Sequence, residues 1–164
     1  MMIDRMLDND WPEVSRIYTQ AIEIGLSSVL DKCPDFDYWD AKHFKDLRFV
    51  MREDDKVVGW CALMPYSDRC AYHGVAEFSV YIDSAYQGKG IGKALLSHAI
   101  AKSEEAGIWT IFSKTFATNT ASIRLQESCG FRLVGIHEKL GYNRFGVYQD
   151  IAILERRSKI VAND

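Results

Sequence analysis

The residues Gln87-Gly88-Lys89-Gly90-Ile91-Gly92 interleave three glycines with polar and apolar neighbours, and Lys93 follows directly. Glycine lets backbone amides approach a ligand closely. A helix beginning here would point its positive N-terminal end at the same place. Together with Lys89 and Lys93, that predicts an anion site, most simply for a pyrophosphate. Two common phosphate loops do not fit. A P-loop ending at Gly92-Lys93 requires Gly at 87 and a hydroxyl at 94, where the chain has Gln87 and Ala94. A dinucleotide fingerprint requires G-x-G-x-x-G near the start of a fold; here the spacing is G-x-G-x-G and lies mid-chain. A glycine-rich connection without a ligand is the plain alternative. The second chemical residue is Glu77, the one carboxylate inside the apolar run Val75-Ala76-Glu77-Phe78-Ser79-Val80-Tyr81-Ile82. Burial there would raise its pKa into a range useful for proton transfer; the alternative is a glutamate turned to solvent.

These residues need elements to hold them. Gly74 to Asp83 reads as a strand with Ala76, Phe78, Val80 and Ile82 on one face and Val75, Glu77, Ser79 and Tyr81 on the other. The helix after the glycine loop carries Ala94, Leu95, His98, Ala99 and Lys102 at helical spacing and ends at Gly107. Trp109 to Thr115 reads as a strand, and Asn119 to Cys129 as a short helix stopped by Gly130. Phe131 to Glu138 and Phe145 to Leu154 read as the last two strands. Upstream, Met2 to Leu7 is a candidate strand. Asp10-Trp11-Pro12-Glu13 starts a helix, with Asp10 as cap and Val14, Ile17, Tyr18, Ala21 and Ile22 as its apolar stripe, up to Gly25. Residues 26–34 read as loop. Pro34-Asp35 starts a second helix to about Asp46, with Phe36, Trp39 and Phe44 as aromatic contacts. Arg48 to Arg52, a turn at Asp54-Asp55-Lys56, and Val57 to Met64 form a hairpin. The order is that of an α/β or α+β sheet domain.

The 164 residues suit one domain over 1–164, with 48% hydrophobic and 26% charged residues supporting a real core. A net charge of −3 argues against a general electrostatic grip on nucleic acid. No run approaches the length of a membrane span. Cys33, Cys61, Cys70 and Cys129 form no C-x-x-C pair and read as free thiols in a reducing cytoplasm, with Cys70 and Cys129 expected as buried small residues. His43, His73, His98 and His137 show no metal-ligand spacing, so no metal is expected, and His98 is read as structural.

Gln87-x-x-Gly90-x-Gly92 resembles the [Arg/Gln]-x-x-Gly-x-[Gly/Ala] signature of the GCN5-related N-acetyltransferase superfamily. Asn119-Thr120-Ala121-Ser122, followed by Gly130-Phe131, is similar to that family's Asn-x-x-[Ala/Ser]…Gly-Phe block. A narrower resemblance, to phosphinothricin and methionine sulfoximine acetyltransferases, rests on four stretches. They are Val57-Val58-Gly59-Trp60, Arg69-Cys70-Ala71-Tyr72 with Val75 to Ile82, Asn119 to Phe131, and Arg144-Phe145-Gly146-Val147-Tyr148-Gln149-Asp150.

The resemblance implies a mixed, mostly antiparallel sheet flanked by helices and splayed between the fourth and fifth strands. It implies acetyl transfer from acetyl-CoA to the amine of a small amino acid or analogue. Glu77 is the expected general base. Gln87, Gly88, Lys89, Gly90, Ile91 and Gly92 are expected at the pyrophosphate, and Ser79, Val80, Tyr81 and Ile82 along the pantetheine arm. A backbone N–H near Val80 would steady the thioester oxygen. Asn119 is expected at the cofactor, a role compatible with capping its helix. Arg69 is the expected carboxylate partner of the acceptor, and Phe78, with Tyr66 and Tyr142, is expected near the acceptor pocket. Gln126 stands where relatives carry a Tyr or His that protonates the leaving thiolate, and a neutral amide cannot do so. Ser67 stands where relatives often carry a further arginine. A homodimer is expected. Other acceptors (a polyamine, an aminoglycoside, a protein N-terminus) and a weakly catalytic acyl-CoA-binding module are the alternative functions; polycationic acceptors would need acidic walls.

Overall fold

The computed structural model describes residues 1–164. Seven strands form one sheet in the order β1-β2-β3-β4-β5-β7-β6. They are β1 (Met2–Arg5), β2 (Arg48–Glu53), β3 (Lys56–Pro65), β4 (Val75–Ile82), β5 (Thr110–Phe116), β6 (Arg132–Tyr142) and β7 (Tyr148–Arg157). Helices α1 (Trp11–Ile24) and α2 (Phe36–Lys42) cover one face; α3 (Ile91–Glu105) packs on the other, with α4 (Thr120–Ser128) beside it. All neighbouring strands are antiparallel except β4 and β5.

That parallel pair is short. Only Val75, Ala76 and Glu77 pair, with Thr110, Ile111 and Phe112. Past Glu77 the two strands diverge, and the edge of β4 that faces β5 has no strand partner. Its partner on the other side, β3, stays paired along the whole of β4, from Pro65↔Ala76 to Gly59↔Ile82. The expected splay between the fourth and fifth strands is therefore present.

The alternation of β4 sorts its residues onto two cores. Ala76 and Phe78 join the larger cluster with Leu95, Leu96 and Ala99 of α3, and Val80 and Ile82 pack against it. On the other face Trp60, Ala62, Val50, Val14, Ile17 and Trp39 form a smaller cluster, with Tyr18 and Tyr81 against it. Each fully buried Val, Leu or Ile among them contributes roughly 1.5–3 kcal/mol of transfer free energy.

Several local expectations need correction. Asp10 makes no side-chain cap on α1; its carboxylate accepts from the Leu7 N–H at 2.8 Å and from both Arg52 terminal nitrogens at 2.9 and 2.7 Å. Helix α2 ends at Lys42 rather than near Asp46. The nearly buried Arg48 explains this: its guanidinium donates to the backbone oxygens of Asp40, His43 and Phe44, and the Phe44 N–H donates to Leu63 of β3. The backbone groups that would extend the helix are already spent. The buried stripe of α3 is Ile91, Gly92, Leu95, Leu96, Ala99, Ile100 and Ser103, so Ala94 and Lys102 lie off it. The β6–β7 hairpin runs further than expected, carried past a bulge where Lys139 takes a φ of 48°. Cys70 is exposed and Cys129 half-buried, not buried as expected; all four cysteines are free.

Candidate active site

The splay opens a cleft of about 1610 Å³ that runs from the glycine loop, between β4 and β5, to the segment joining α1 and α2. A pocket for one small ligand measures about 300–1,000 Å³, so this cleft has room for a large co-substrate and a small acceptor together.

The side of the cleft bounded by α3 and α4 is built mostly from backbone. Gly88 and Gly90 hold φ values of 75° and 77°, and a Cβ at either would meet nothing within 4 Å. Their shape is therefore set by the left-handed backbone conformation and not by packing against the protein, as suits a cradle for a ligand. Gly90 is also the residue before the first turn of α3, whose free N–H groups point into the loop. Gly92 has a different reason: its Cβ would stand 2.7 Å from Leu125 of α4, so the glycine brings α3 and α4 together. Ile91 is a core side chain. Lys93 borders the cleft, whereas Lys89 lies over the Tyr86 ring, 4.5 Å from its centre, and is not on the cleft wall.

Asn119 caps α4, its Oδ1 accepting from the Ser122 N–H at 3.1 Å, and borders the cleft. Gln126 is 1% exposed, and both ends of its amide are bonded. Its Oε1 accepts from the Ser113 hydroxyl, and its Nε2 donates to Thr115 Oγ1 at 2.9 Å and Ser122 Oγ at 3.1 Å. The amide is thus a tie between β5 and α4. Because the Thr115 and Ser122 hydroxyls accept from it, their own protons remain free for a partner in the cleft.

The side bounded by α1 and α2 is built from side chains. Glu77, Ser79 and Tyr81 of β4 form its floor, in register with Met64, Ala62 and Trp60 of β3. Glu77 is not turned to solvent: its side chain is 20% exposed, and burial raises its carboxyl above the ordinary value of 4.5. The Lys114 Nζ of β5, 4.0 Å from Glu77 Oε2, partly offsets that rise. Burial pushes the Tyr81 phenol up to about 12 and raises that of Tyr18, whose ring lies 4.8 Å away. Residues 25–35 form the outer wall. Gly25 ends α1 with a φ of 71°, and the buried Asn143 donates to its carbonyl at 3.1 Å from the β6–β7 turn. At the end of α2, His43 lies against Trp39, its Nδ1 2.7 Å from the Trp39 carbonyl, and burial lowers its pKa to about 4, so the ring is neutral. The wall as a whole carries five cations, Lys32, Lys42, Lys93, Lys114 and Arg124, and one acid, Glu77.

The structure brings Glu77, Ser79, Val80, Tyr81, Ile82, Gln87, Gly88, Gly90, Ile91, Gly92 and Asn119 to one cleft. It does not bring Arg69 there: that side chain is exposed, on a loop outside the wall. Phe78 borders the cleft, but its ring is buried against Phe131 in the core, on the face opposite Glu77. Tyr66 and Tyr142 are exposed and off the wall. Sequence reasoning missed Lys42, His43 and Lys114. Only Lys114 left a signal, as the one charge in the β5 run, and its meaning depends on a strand register that the sequence does not print. No group of three or more His, Cys, Asp or Glu side chains is placed to hold a metal ion. No helix is long and apolar enough to cross a membrane.

Residues 11–131 match the acetyltransferase (GNAT) family, and the chain belongs to that family. It is an acetyl-CoA-dependent N-acetyltransferase. Its sequence is 32% identical to phosphinothricin N-acetyltransferase of Alcaligenes faecalis over 156 residues, covering 91% of this chain and 78% of that protein. It is 26% identical to L-methionine sulfoximine/L-methionine sulfone acetyltransferase of Salmonella typhimurium, covering 89% and 88%. The fold superimposes with a TM-score of 0.90 on yncA from Salmonella typhimurium with its cofactor acetyl-CoA, at 26% identity and over 100% of this chain and 98% of that one.

Proposed function

We propose that this chain acetylates the amine of a small amino acid or analogue, related to methionine sulfone, methionine sulfoximine or phosphinothricin, with Glu77 as the base. The carrying observation is the charge of the α1–α2 side of the cleft: one carboxylate, mostly buried, near Lys32, Lys42 and Lys114. A polyamine or aminoglycoside would meet like charges along that wall, and a small zwitterion or anion would not. The names of the relatives point the same way.

Acetyl-CoA supplies an acyl group already activated as a thioester. Gly88 and Gly90, the first turn of α3 and Lys93 hold its pyrophosphate, with Gln87 and Lys89 at the rim of the loop. The open edge of β4 from Ser79 to Ile82 offers backbone groups to the pantetheine amides, and Asn119 lies across the cleft from it. Glu77 takes a proton from the acceptor ammonium, which frees the lone pair. The new N–C bond forms as the C–S bond breaks, while the Val80 N–H steadies the charge on the carbonyl oxygen. The sulfur leaves as thiolate; Gln126 cannot protonate it, and the hydroxyls of Ser122 and Thr115, whose protons Gln126 leaves free, line the same cleft.

The assay is thiol release from acetyl-CoA with methionine sulfone, methionine sulfoximine, phosphinothricin, common amino acids, spermidine and a short peptide. The expected result is turnover confined to the amino acids and their analogues, and lost in Glu77→Gln. Turnover of spermidine or the peptide alone overturns the acceptor class.

We also infer a cytoplasmic homodimer. The four free cysteines suit a reducing compartment. Leu133, Val134, Ile136, Leu140 and Tyr142 of the edge strand β6 expose apolar surface of the kind that interfaces cover. Sedimentation equilibrium tests it, and a monomer at micromolar concentration refutes it.

A further inference from the structure

We propose that Lys114 receives the acceptor's carboxylate, so that the Glu77–Lys114 pair recognises the two charged ends of an α-amino acid. The proposal rests on the transfer reading above, with Glu77 as the group that faces the amine.

The placement follows from the one parallel pairing in the sheet. Glu77 lies opposite Phe112 in register. Lys114 is two residues further along β5, hence on the same face, just where the strands part. Its Nζ lies 4.0 Å from Glu77 Oε2, which is the outer limit of an ion pair, and the side chain makes no hydrogen bond. Its other neighbour is the Phe112 ring, 5.6 Å from the ring centre. Glu77 likewise makes no hydrogen bond to the protein. The pair therefore sits in the cleft as two opposite charges near enough to share a ligand, with their hydrogen-bonding capacity largely unspent.

An α-amino acid carries its ammonium and carboxylate on one carbon. With the ammonium against Glu77, the carboxylate falls beside Lys114, and the four charges alternate in sign. A monoamine satisfies Glu77 alone and leaves Lys114 as it was. A diamine sets a second cation against Lys114. Lys42, which lies 4.8 Å over the Tyr38 ring and has no acidic partner, adds positive potential to the same half of the cleft. Lys114 is 54% exposed, so water and salt weaken its grip. The expected discrimination is therefore about 10-fold to 100-fold, less than a buried polar site achieves.

The test compares three acceptors of one skeleton: L-methionine sulfone, its methyl ester, and the amine left when its carboxyl group is removed. kcat/KM is measured from thiol release for the wild type and for Lys114→Met, Lys114→Arg and Lys114→Glu. The ratio of acid to ester is internal to each variant, so partial unfolding does not alter it. The wild type is expected to favour the acid by about 10-fold or more. Lys114→Met brings the ratio near unity, Lys114→Arg keeps most of it, and Lys114→Glu inverts it. An acid-to-ester ratio unchanged in Lys114→Met overturns the proposal and leaves the transfer reading intact, provided Glu77→Gln is inactive. If the wild type acetylates none of the three, the acceptor class has failed and the role of Lys114 fails with it.

Discussion

The two halves of the cleft are built by different means. On the α3–α4 side the ligand-facing surface is backbone, and the polar side chains behind it are paired. Gly88 and Gly90 shape the loop, Asn119 caps α4, and the Gln126 amide is held at both ends by Ser113, Thr115 and Ser122. On the α1–α2 side the surface is side chain and much of its capacity is unspent. Glu77 and Lys114 sit 4.0 Å apart without hydrogen bonds. A co-substrate that never changes can be met by fixed backbone geometry. An acceptor is met by groups left free to bind it.

The sharpest way to break this contrast is Glu77→Gln. On the reading above kcat falls about 10²-fold to 10⁴-fold, while acetyl-CoA binding, measured by calorimetry, stays as in the wild type. A similar loss of acetyl-CoA affinity would show that the halves are not separate. The pH dependence has a definite sign. The native carboxyl titrates above 4.5, so the wild-type rate rises with pH through a point above that value. The same shift means that the ionised carboxylate destabilises the fold. Glu77→Gln is thus expected to melt higher than the wild type at neutral pH, and the advantage should vanish below about pH 4.

The next prediction separates two glycines within one half. Gly90→Ala forces a side chain into a φ of 77° with open space around it, a backbone cost of about 1–2 kcal/mol. It also adds a methyl group at the mouth of the cradle. The expected result is a weakening of acetyl-CoA binding by about 10-fold, from misplacing one charge-assisted contact, with the acceptor KM unchanged. Gly92→Ala instead drives a Cβ to 2.7 Å from Leu125. It should displace that leucine methyl and cost about 1 kcal/mol of stability, read as a lower melting temperature. If both variants lose only stability, the loop is a connection and not a cradle.

The same division explains what was legible in the sequence. The alternation of β4, the glycine loop and the Asn119 cap are local: each follows from a few adjacent residues and their backbone preferences. What failed depended on partners far along the chain. The neighbours of Asp10 predict a helix cap, but Arg52 claims its carboxylate from 42 residues away. Helix α2 is shorter than its local sequence predicts because Arg48, arriving from β2, takes the carbonyls that would have continued it. Phe78 is the exception: the resemblance places it near the acceptor pocket, while the alternation already visible in β4 turns its ring to the core, against Phe131. Lys114 was invisible as a site residue because its position beside Glu77 comes from the parallel β4–β5 register.

Gln126→Leu tests whether the tie between β5 and α4 is structural. The leucine fills similar space but leaves the Ser113, Thr115 and Ser122 hydroxyls without their shared partner. A loss of about 1–3 kcal/mol is expected, which for a chain of this size is a fall of several degrees in melting temperature. The effect on kcat should be smaller than that of Glu77→Gln. A loss of kcat as large as that of Glu77→Gln, with the melting temperature unchanged, would move Gln126 from the scaffold to the chemistry.

The smallest effect is expected at Arg69. The R-x-A-Y resemblance implies that it binds the acceptor's carboxylate, but its side chain is exposed and outside the cleft of the single chain. With Lys114 beside Glu77, Arg69→Ala should change the acceptor kcat/KM by less than about twofold, the size expected of a screened surface charge. Measured beside Lys114→Met on methionine sulfone and its methyl ester, the two variants divide the question. A collapse of the acid-to-ester ratio in Arg69→Ala but not in Lys114→Met would restore the arginine. Because Arg69 stands outside the cleft of one chain, that result would also require a second chain to carry it in.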